Sequence, residues 1–386
     1  MMNRIQQDEI FKLSAEFQRD PRKEKINGGI GIYLDERGKP YVHPVVRKAI
    51  AFLNFHNFNY LPISGDQTFL NETTHTMIGN DLFLKYNKLI AKQGVMGGTN
   101  GLYIWASLVK KIHSKPKIII GTPTWENHER IFAYFGFKVI TYNHLFKSQL
   151  FNIKELVTAL EKHPKSYILF HAGPTHNPTG INASKNQWVE IAGAIKEYKQ
   201  RVIFDFAYMG LGENIDVDSF PVRHFIQKKI PTSAVVSFSK NMTLYQHRTG
   251  ALFILAKSKR EKNYLEENLK YLFRITNSNP SAFGELVSNT ILESRELKGE
   301  WIDSLAKMVK SLDRRRDLFA KYTKGTFNFV KKGKGLFSLL GLSKRQIEVL
   351  KENYGIYLPS SSRINFGGIA ISNIKTVAQA IIELLG

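Results

Sequence analysis

The chain has 386 residues, no cysteine and a formal net charge of +22. The lack of cysteine excludes disulfides and thiolate metal sites, and no apolar run approaches the length of a membrane span. The opening stretch "MMNRIQQDEIFKLSAEF" carries acids and no apolar signal core, so the reading expects a cytoplasmic protein. The basic residues run along the whole length, and the densest clusters, "SKREK", "DRRRD" and "KKGKG", are short. They read as a solvated lysine-rich surface. No RNP, zinc-finger or Gly-x-x-Gly pattern accompanies them, so nucleic acid is not an expected partner.

In chain order, an amino-terminal helix and "INGGIGIYLDERGKP" come first and are assigned to a smaller lobe. "GGIGIYLDERG" fails as a dinucleotide fingerprint, because Leu34 stands at the third glycine position. From about residue 90 the pattern alternates apolar strand, polar turn and amphipathic helix. The strand candidates are 117–121, 138–142, 166–170, 201–205, 234–238 and 250–256. They are continuous apolar runs, as in strands covered by helices on both faces, so the sheet is expected to be mostly parallel. In "NQWVEIAGAIKEYK", Trp188, Ile191, Ala192 and Ile195 recur at helical spacing and should face that sheet. A spine helix over about 296–322 follows. Beyond it, "GLFSLLGL", "KRQIEVLKENYGIYL" and "VAQAIIELLG" suggest the rest of the smaller α/β lobe.

Ligands of an open parallel sheet bind beyond the carboxyl ends of its strands. Trp125 follows the first of these strands and Asn177 the third; Asp205 ends the fourth, with Tyr208 beyond it, and Ser237 lies near the end of the fifth, with Ser239 and Lys240 beyond it. Upstream, Gly97, Gly98 and Thr99 open an amphipathic helix. Singly, each has a plainer reading: a core aromatic, a turn asparagine, a helix cap, a loop glycine, a surface lysine. No second carboxylate or histidine sits at ligand spacing from Asp205, so no metal is expected. Jointly, at successive strand ends, they describe one site.

Pyridoxal phosphate uses this whole set. It needs a lysine for its Schiff base and an acid or arginine at its ring nitrogen. Lys240 would supply the amine, and an ionised Asp205 would keep the ring nitrogen protonated. Tyr208 and Asn177 could bond the ring hydroxylate, and Trp125 could stack on its face. The phosphate would take the helix start at Gly98 and Thr99, the hydroxyls of Ser237 and Ser239, and the fork of Arg248. A lysine closing a buried strand is otherwise expensive to desolvate.

The segments "NYLPI" (59–63), "GGTNG" (97–101), "PTWENH" (123–128), "HNPTG" (176–180), "DFAYMG" (205–210), "SFSKN" (237–241), "LYQHRTG" (244–250), "RITNSNP" (274–280) and "SSRINFGGI" (361–369) together resemble the aspartate/aromatic aminotransferase family. That family has fold type I of the pyridoxal-phosphate enzymes, and the resemblance covers nearly the whole chain. It implies an α/β fold, with a large domain over 41–304 and a small domain from 1–40 and 305–386. It further implies that Arg363 binds the substrate α-carboxylate and that Gly31 lines the substrate site. Arg274 and Tyr60 would reach into the site of a partner subunit, Arg274 to a side-chain carboxylate and Tyr60 to the cofactor phosphate. His128 would stand behind Asp205, and the molecule would be a homodimer with shared sites. The stretch "FHAGPTHNPTG" is one residue longer between His171 and Asn177 than is usual in the family, and His247 stands where an acid is common.

The expected reaction is ping-pong transamination between an amino acid, aspartate or aromatic, and a 2-oxo acid of the 2-oxoglutarate/glutamate pair. An enzyme acting mainly on tyrosine and phenylalanine is the first alternative. A lyase or decarboxylase on the same scaffold is the second, since scaffold does not fix reaction.

Overall fold

The computed structural model describes residues 9–53, 59–171, 173 and 175–386. In chain order its strands are β1 (Ile26–Asn27), β2 (Ile90–Val95), β3 (Lys117–Thr122), β4 (Lys138–Asn143), β5 (Tyr167–His171), β6 (Arg201–Phe206), β7 (Thr232–Ser237), β8 (Gly250–Leu255), β9 (Phe337–Leu339), β10 (Ile356–Tyr357) and β11 (Arg363–Asn365). Two units divide the chain. One is Met1–Tyr41 with Asn177–Gly180 and Val309–Gly386; the other is Val42–His176 with Ile181–Met308. The division falls inside the 28-residue helix Arg295–Tyr322.

The second unit is built on a seven-stranded sheet of order β2-β8-β7-β6-β5-β3-β4. From β7 to β4 all neighbours are parallel, and β8 is antiparallel to both β7 and β2. Successive residues such as Ile118, Ile119 and Ile120, or Val202, Ile203 and Phe204, are all buried. Both faces are therefore covered, as the unbroken apolar runs predict. The helix Lys185–Glu197 opens with a capping box between Ser184 and Gln187 and buries Trp188, Ile191, Ala192 and Ile195. The helix Gly97–Ile112 lies so close to β7 that a Cβ on Gly101 would fall 2.5 Å from Val235 Cγ1.

One strand escapes the apolar-run criterion. β2 reads "IAKQGV" and is buried at every position. The donors of its polar members find partners inside the protein, although Gln93 Oε1 is buried with no hydrogen-bond partner among the described residues. The Lys92 ammonium donates to Asn71 Oδ1 at 2.6 Å and to Asn87 Oδ1, and burial draws its pKa down to about 8. Gln93 Nε2 donates to the Ile63 carbonyl at 2.6 Å.

In the first unit, β1 pairs with β10 in parallel and β9 with β11 antiparallel. A buried arginine ties its segments together. Arg315 Nη1 donates to the carbonyls of Phe366 (3.0 Å) and Gly367 (2.9 Å), and Nη2 to those of Leu34 (2.8 Å) and Asp35 (3.3 Å). Its guanidinium also lies 5.0 Å from the Tyr33 ring centroid. Arg315→Met keeps the bulk and strands these carbonyls, each buried unmet group costing about 1–3 kcal/mol. Denaturant unfolding should show a loss of about 3 kcal/mol or more; a loss below about 1 kcal/mol would contradict the clamp.

Candidate active site

The carboxyl ends of β5, β6 and β7 gather the polar groups of the second unit. Asp205 on β6 pairs in register with His171 on β5 and Val235 on β7. It is buried, and its Oδ2 accepts from His128 Nε2 at 2.9 Å. Its other oxygen, Oδ1, is buried with no hydrogen-bond partner among the described residues. Burial pushes the carboxyl up, but the His128 hydrogen bond and the positive charge around it, including Lys240, outweigh that and hold its pKa below the ordinary value. Asp205 is thus a buried anion with one oxygen in reserve.

Lys240 closes the turn after β7, and its Nζ lies 5.4 Å from the centroid of the buried Tyr208 ring. Tyr208 sits in a loop fixed from below by Asp218, a residue the sequence reading did not single out. Asp218 Oδ2 accepts from the amides of Gly210 and Gly212, both at 2.9 Å, and Oδ1 from Glu213 at 3.0 Å. Trp125, at the N-cap of the helix Glu126–Tyr134, sets its ring perpendicular to His128 at 5.2 Å.

Beside these residues lies a cradle of anion-binding character. Ser237 Oγ donates to Ser239 Oγ at 3.2 Å, and Arg248 Nη1 donates to Ser239 Oγ at 3.1 Å. The helix Gly97–Ile112 begins at this arginine: a Cβ on Gly97, whose φ is +78°, would lie 2.6 Å from Arg248 Nη2. A Cβ on Gly98 would stand 3.5 Å from Ser237 Cβ and 3.9 Å from Asp205 Oδ1. Thr99 follows, exposed, in the first helical turn. The space over Gly98 is therefore bordered by the reserved carboxylate oxygen and the serine hydroxyls. A flat cationic ring with an anionic arm fits this donor and acceptor set.

The first unit assembles a second group. Arg363 on β11 is buried; Nη1 donates to Asn177 Oδ1 at 3.1 Å and Nη2 to the Gly29 carbonyl at 2.8 Å. Its guanidinium lies 4.3 Å from the Phe337 ring centroid, and a Cβ on Gly31 would meet the same ring at 3.8 Å. Arg363, Asn177 and Gly31 are thus brought together. Ala172 and Pro174, in the stretch with the extra residue, lie outside the described residues.

Tyr60 and Arg274 lie on the surface of the second unit. Tyr60 is 87% exposed. Arg274 is exposed and donates to Ser278 Oγ (2.6 Å) and Asn279 Oδ1 (3.3 Å). Asn279 in turn donates to the carbonyl of Leu61 at 2.7 Å, next to Tyr60.

Behind Asp205 runs a histidine array that sequence reasoning mostly missed. Thr124 Oγ1 bonds His128 Nδ1 at 2.8 Å and His171 Nε2 at 3.2 Å. His171 leans on His176 at 4.3 Å, and His176 stacks on His144 at 3.6 Å and 12°. Burial lowers His144 to about 4 and His171 to about 3, and takes His176 well below its ordinary value. These rings are neutral at pH 7. Thr124 was legible as the residue four before His128 at a helix start; the meeting of His144 with His176 is purely tertiary.

Comparison with known proteins places nearly the whole chain in one family. Residues 23–381 match the family model described as aminotransferase class I and II. The cytoplasmic aspartate aminotransferase of Schizosaccharomyces pombe is 31% identical over 97% of this chain and 94% of its own length. The aspartate aminotransferase of Pseudomonas aeruginosa is 33% identical over 98% and 97%. Among solved structures, the aromatic-amino-acid aminotransferase of Burkholderia pseudomallei, covalently bound to pyridoxal phosphate, superposes with a TM-score of 0.94 at 31% identity, covering 100% of this chain and 98% of that one. The broad-specificity aminotransferase of Leishmania mexicana gives the same score at 31% identity, covering 100% and 97%.

The histidines make stability pH-dependent in one direction. A buried histidine with a depressed pKa leaves stability intact above the unfolded value near 6.5 and removes it as pH falls towards 4 and 3. At pH 5 each should cost about 2 kcal/mol relative to pH 8. Melting curves should fall steeply below pH 6.5, and His144→Phe should flatten that fall. An unchanged slope in the variant would refute the assignment.

Proposed function

Because the chain belongs to the class I and II aminotransferases, we propose that Lys240, Asp205 and Tyr208 are its reacting groups. It is an aminotransferase dependent on pyridoxal 5'-phosphate. When bound, that cofactor supplies an aldehyde for amines and a ring that withdraws electrons from the substrate's Cα. In this reading Lys240 holds it covalently and Asp205 Oδ1 meets its ring nitrogen. Tyr208 and Asn177 meet its hydroxyl and Trp125 its face. Gly98, Thr99, Ser237, Ser239 and Arg248 take its phosphate. The observation that carries the reading is the ionised Asp205, with its free oxygen bordering the space over Gly98.

The chain's own residues then divide the work. Arg363, with Asn177 and Gly31 beside it, fixes the substrate α-carboxylate and so orients the Cα–H bond. Lys240 Nζ takes the α-proton as general base. Tyr208 places its ring against that amine, and Asp218 holds the Tyr208 loop. Asp205 stays anionic because His128 donates to it. The amino acid leaves as its 2-oxo acid before a second 2-oxo acid enters, a ping-pong sequence.

We further propose a homodimer in which Tyr60 and Arg274 serve the partner's site. Their shared exposed patch, joined through Asn279, supports it. An arginine for a side-chain carboxylate favours aspartate and glutamate with their 2-oxo acids. Aromatic amino acids are the second reading, favoured by the exposed and displaceable position of Arg274. It also opposes a lyase or decarboxylase, which has no use for a second dicarboxylate. The cytoplasm is the proposed location.

The purified protein should be yellow, bleach with glutamate and regain colour with 2-oxoglutarate. Lys240→Ala should lower turnover by at least about 10²–10⁴-fold; near-normal turnover would refute its role. Arg274→Gln should cut kcat/KM for aspartate by about 2–5 kcal/mol and that for phenylalanine far less. Equal losses would remove Arg274 from substrate selection. Aspartate should yield oxaloacetate; alanine would indicate decarboxylation instead.

A further inference from the structure

The sheet of the second unit has two edges, and only the carboxyl edge holds the groups described so far. At the opposite edge lies a cavity of about 550 Å³. It is lined by the first residues of three parallel strands, Tyr167, Arg201 and Thr232, and by the last turns of the helix Gly97–Ile112. Arg201 at the cavity and Asp205 are four residues apart on β6, so about 13 Å of strand, at ~3.3 Å per residue, separates the cavity from Asp205. Its volume falls within the range of small-molecule pockets, about 300–1,000 Å³.

The walls are of two kinds. Inside they are apolar and aromatic: Trp105, Leu108, Val109, Ile230 and Leu265. Trp105 is 2% exposed and meets Tyr167 edge-on at 5.1 Å, so this wall is rigid. The charged lining is basic: Arg201, Lys229 and Lys257 against the one carboxylate of Glu261. Glu261 is already engaged, accepting the Lys257 amide at 2.7 Å as part of a helix start. None of the three cations forms an ion pair with a carboxylate among the described residues. Arg201 instead lies 5.8 Å from the centroid of the Tyr167 ring.

We propose that this cavity is a binding site for an amphipathic monoanion, an aryl or branched alkyl group carrying a carboxylate. The apolar part displaces water that the Trp105 wall holds poorly, which favours binding. The carboxylate takes the guanidinium of Arg201 and the ammonium groups of Lys229 and Lys257. A neutral apolar ligand would leave these cations unmatched, and a small inorganic anion would leave the aromatic wall wet. Both ends of the cavity are used only by a ligand with both characters. The inference does not rest on the assignment of Lys240 or Asp205.

The probe is 4-phenylbutyrate, titrated calorimetrically into holoenzyme saturated with the dicarboxylate maleate, which occupies substrate carboxylate sites. One equivalent per chain should bind. The amide, 4-phenylbutyramide, should bind about tenfold or more weakly, as expected for the loss of a charged hydrogen bond. Arg201→Gln should weaken the acid by a similar factor. Ala256→Trp, which fills the cavity, should abolish binding and leave transamination kinetics unchanged. No binding to the maleate-saturated enzyme, equal binding of acid and amide, or undiminished binding to folded Ala256→Trp would each overturn the proposal. The comparison of acid and amide uses the unaltered protein and stands even if a variant fails to fold.

Discussion

The structure turns on a negative charge kept where water cannot reach it. Asp205 stands one residue before the end of β6 in the interior of the second unit, where burial alone would raise its pKa. Two features prevent that, the donated hydrogen bond of His128 and the positive charge that includes Lys240, while strand pairing fixes both neighbours of the carboxylate. The seven-stranded sheet is the means of holding that anion still, since pairing on both sides leaves the strand no freedom to shift.

Electrostatic preorganisation extends outward from this point in layers. His128 can donate to Asp205 only in one tautomer, and Thr124 governs the other ring nitrogen. The rings beyond, His171, His176 and His144, stay uncharged, so they add bulk and polarisability without competing for the carboxylate. A chain with a surplus of 22 positive charges therefore keeps its innermost polar array nearly free of them. The surplus lies on the surface, where water screens it.

Much of this was legible in the sequence because the informative residues fall at strand ends. Continuous apolar runs gave β3 to β8 to within two residues at either end, and the residue after each run pointed to the chemistry. β2 was not legible, since Lys92 and Gln93 break the apolar run and only their partners Asn71, Asn87 and Ile63 make them acceptable inside. Apart from His128, which the family resemblance placed behind Asp205, the histidine array was equally hidden: its residues come from separate segments, and no spacing in one dimension encodes their meeting. Asp218 lies eight residues beyond Gly210 and supports its loop through backbone amides, so its task leaves no mark on composition. Arg315 was masked by its surroundings; "DRRRD" reads as surface charge, yet its middle arginine is fully buried.

The steric closeness at Gly97 and Gly250 bears on how such a chain diverges. At Gly250 a methyl group would fall 2.6 Å from the Val236 carbonyl, and at Gly97 the φ of +78° strains any side-chain-bearing residue, which would also press on the Arg248 guanidinium. Arg274, on an exposed helix end and held by two small polar neighbours, carries no such restriction. Within one polypeptide, the packed turns at Gly97 and Gly250 thus leave no room for added bulk, while the exposed helix end at Arg274 can host side chains of other sizes.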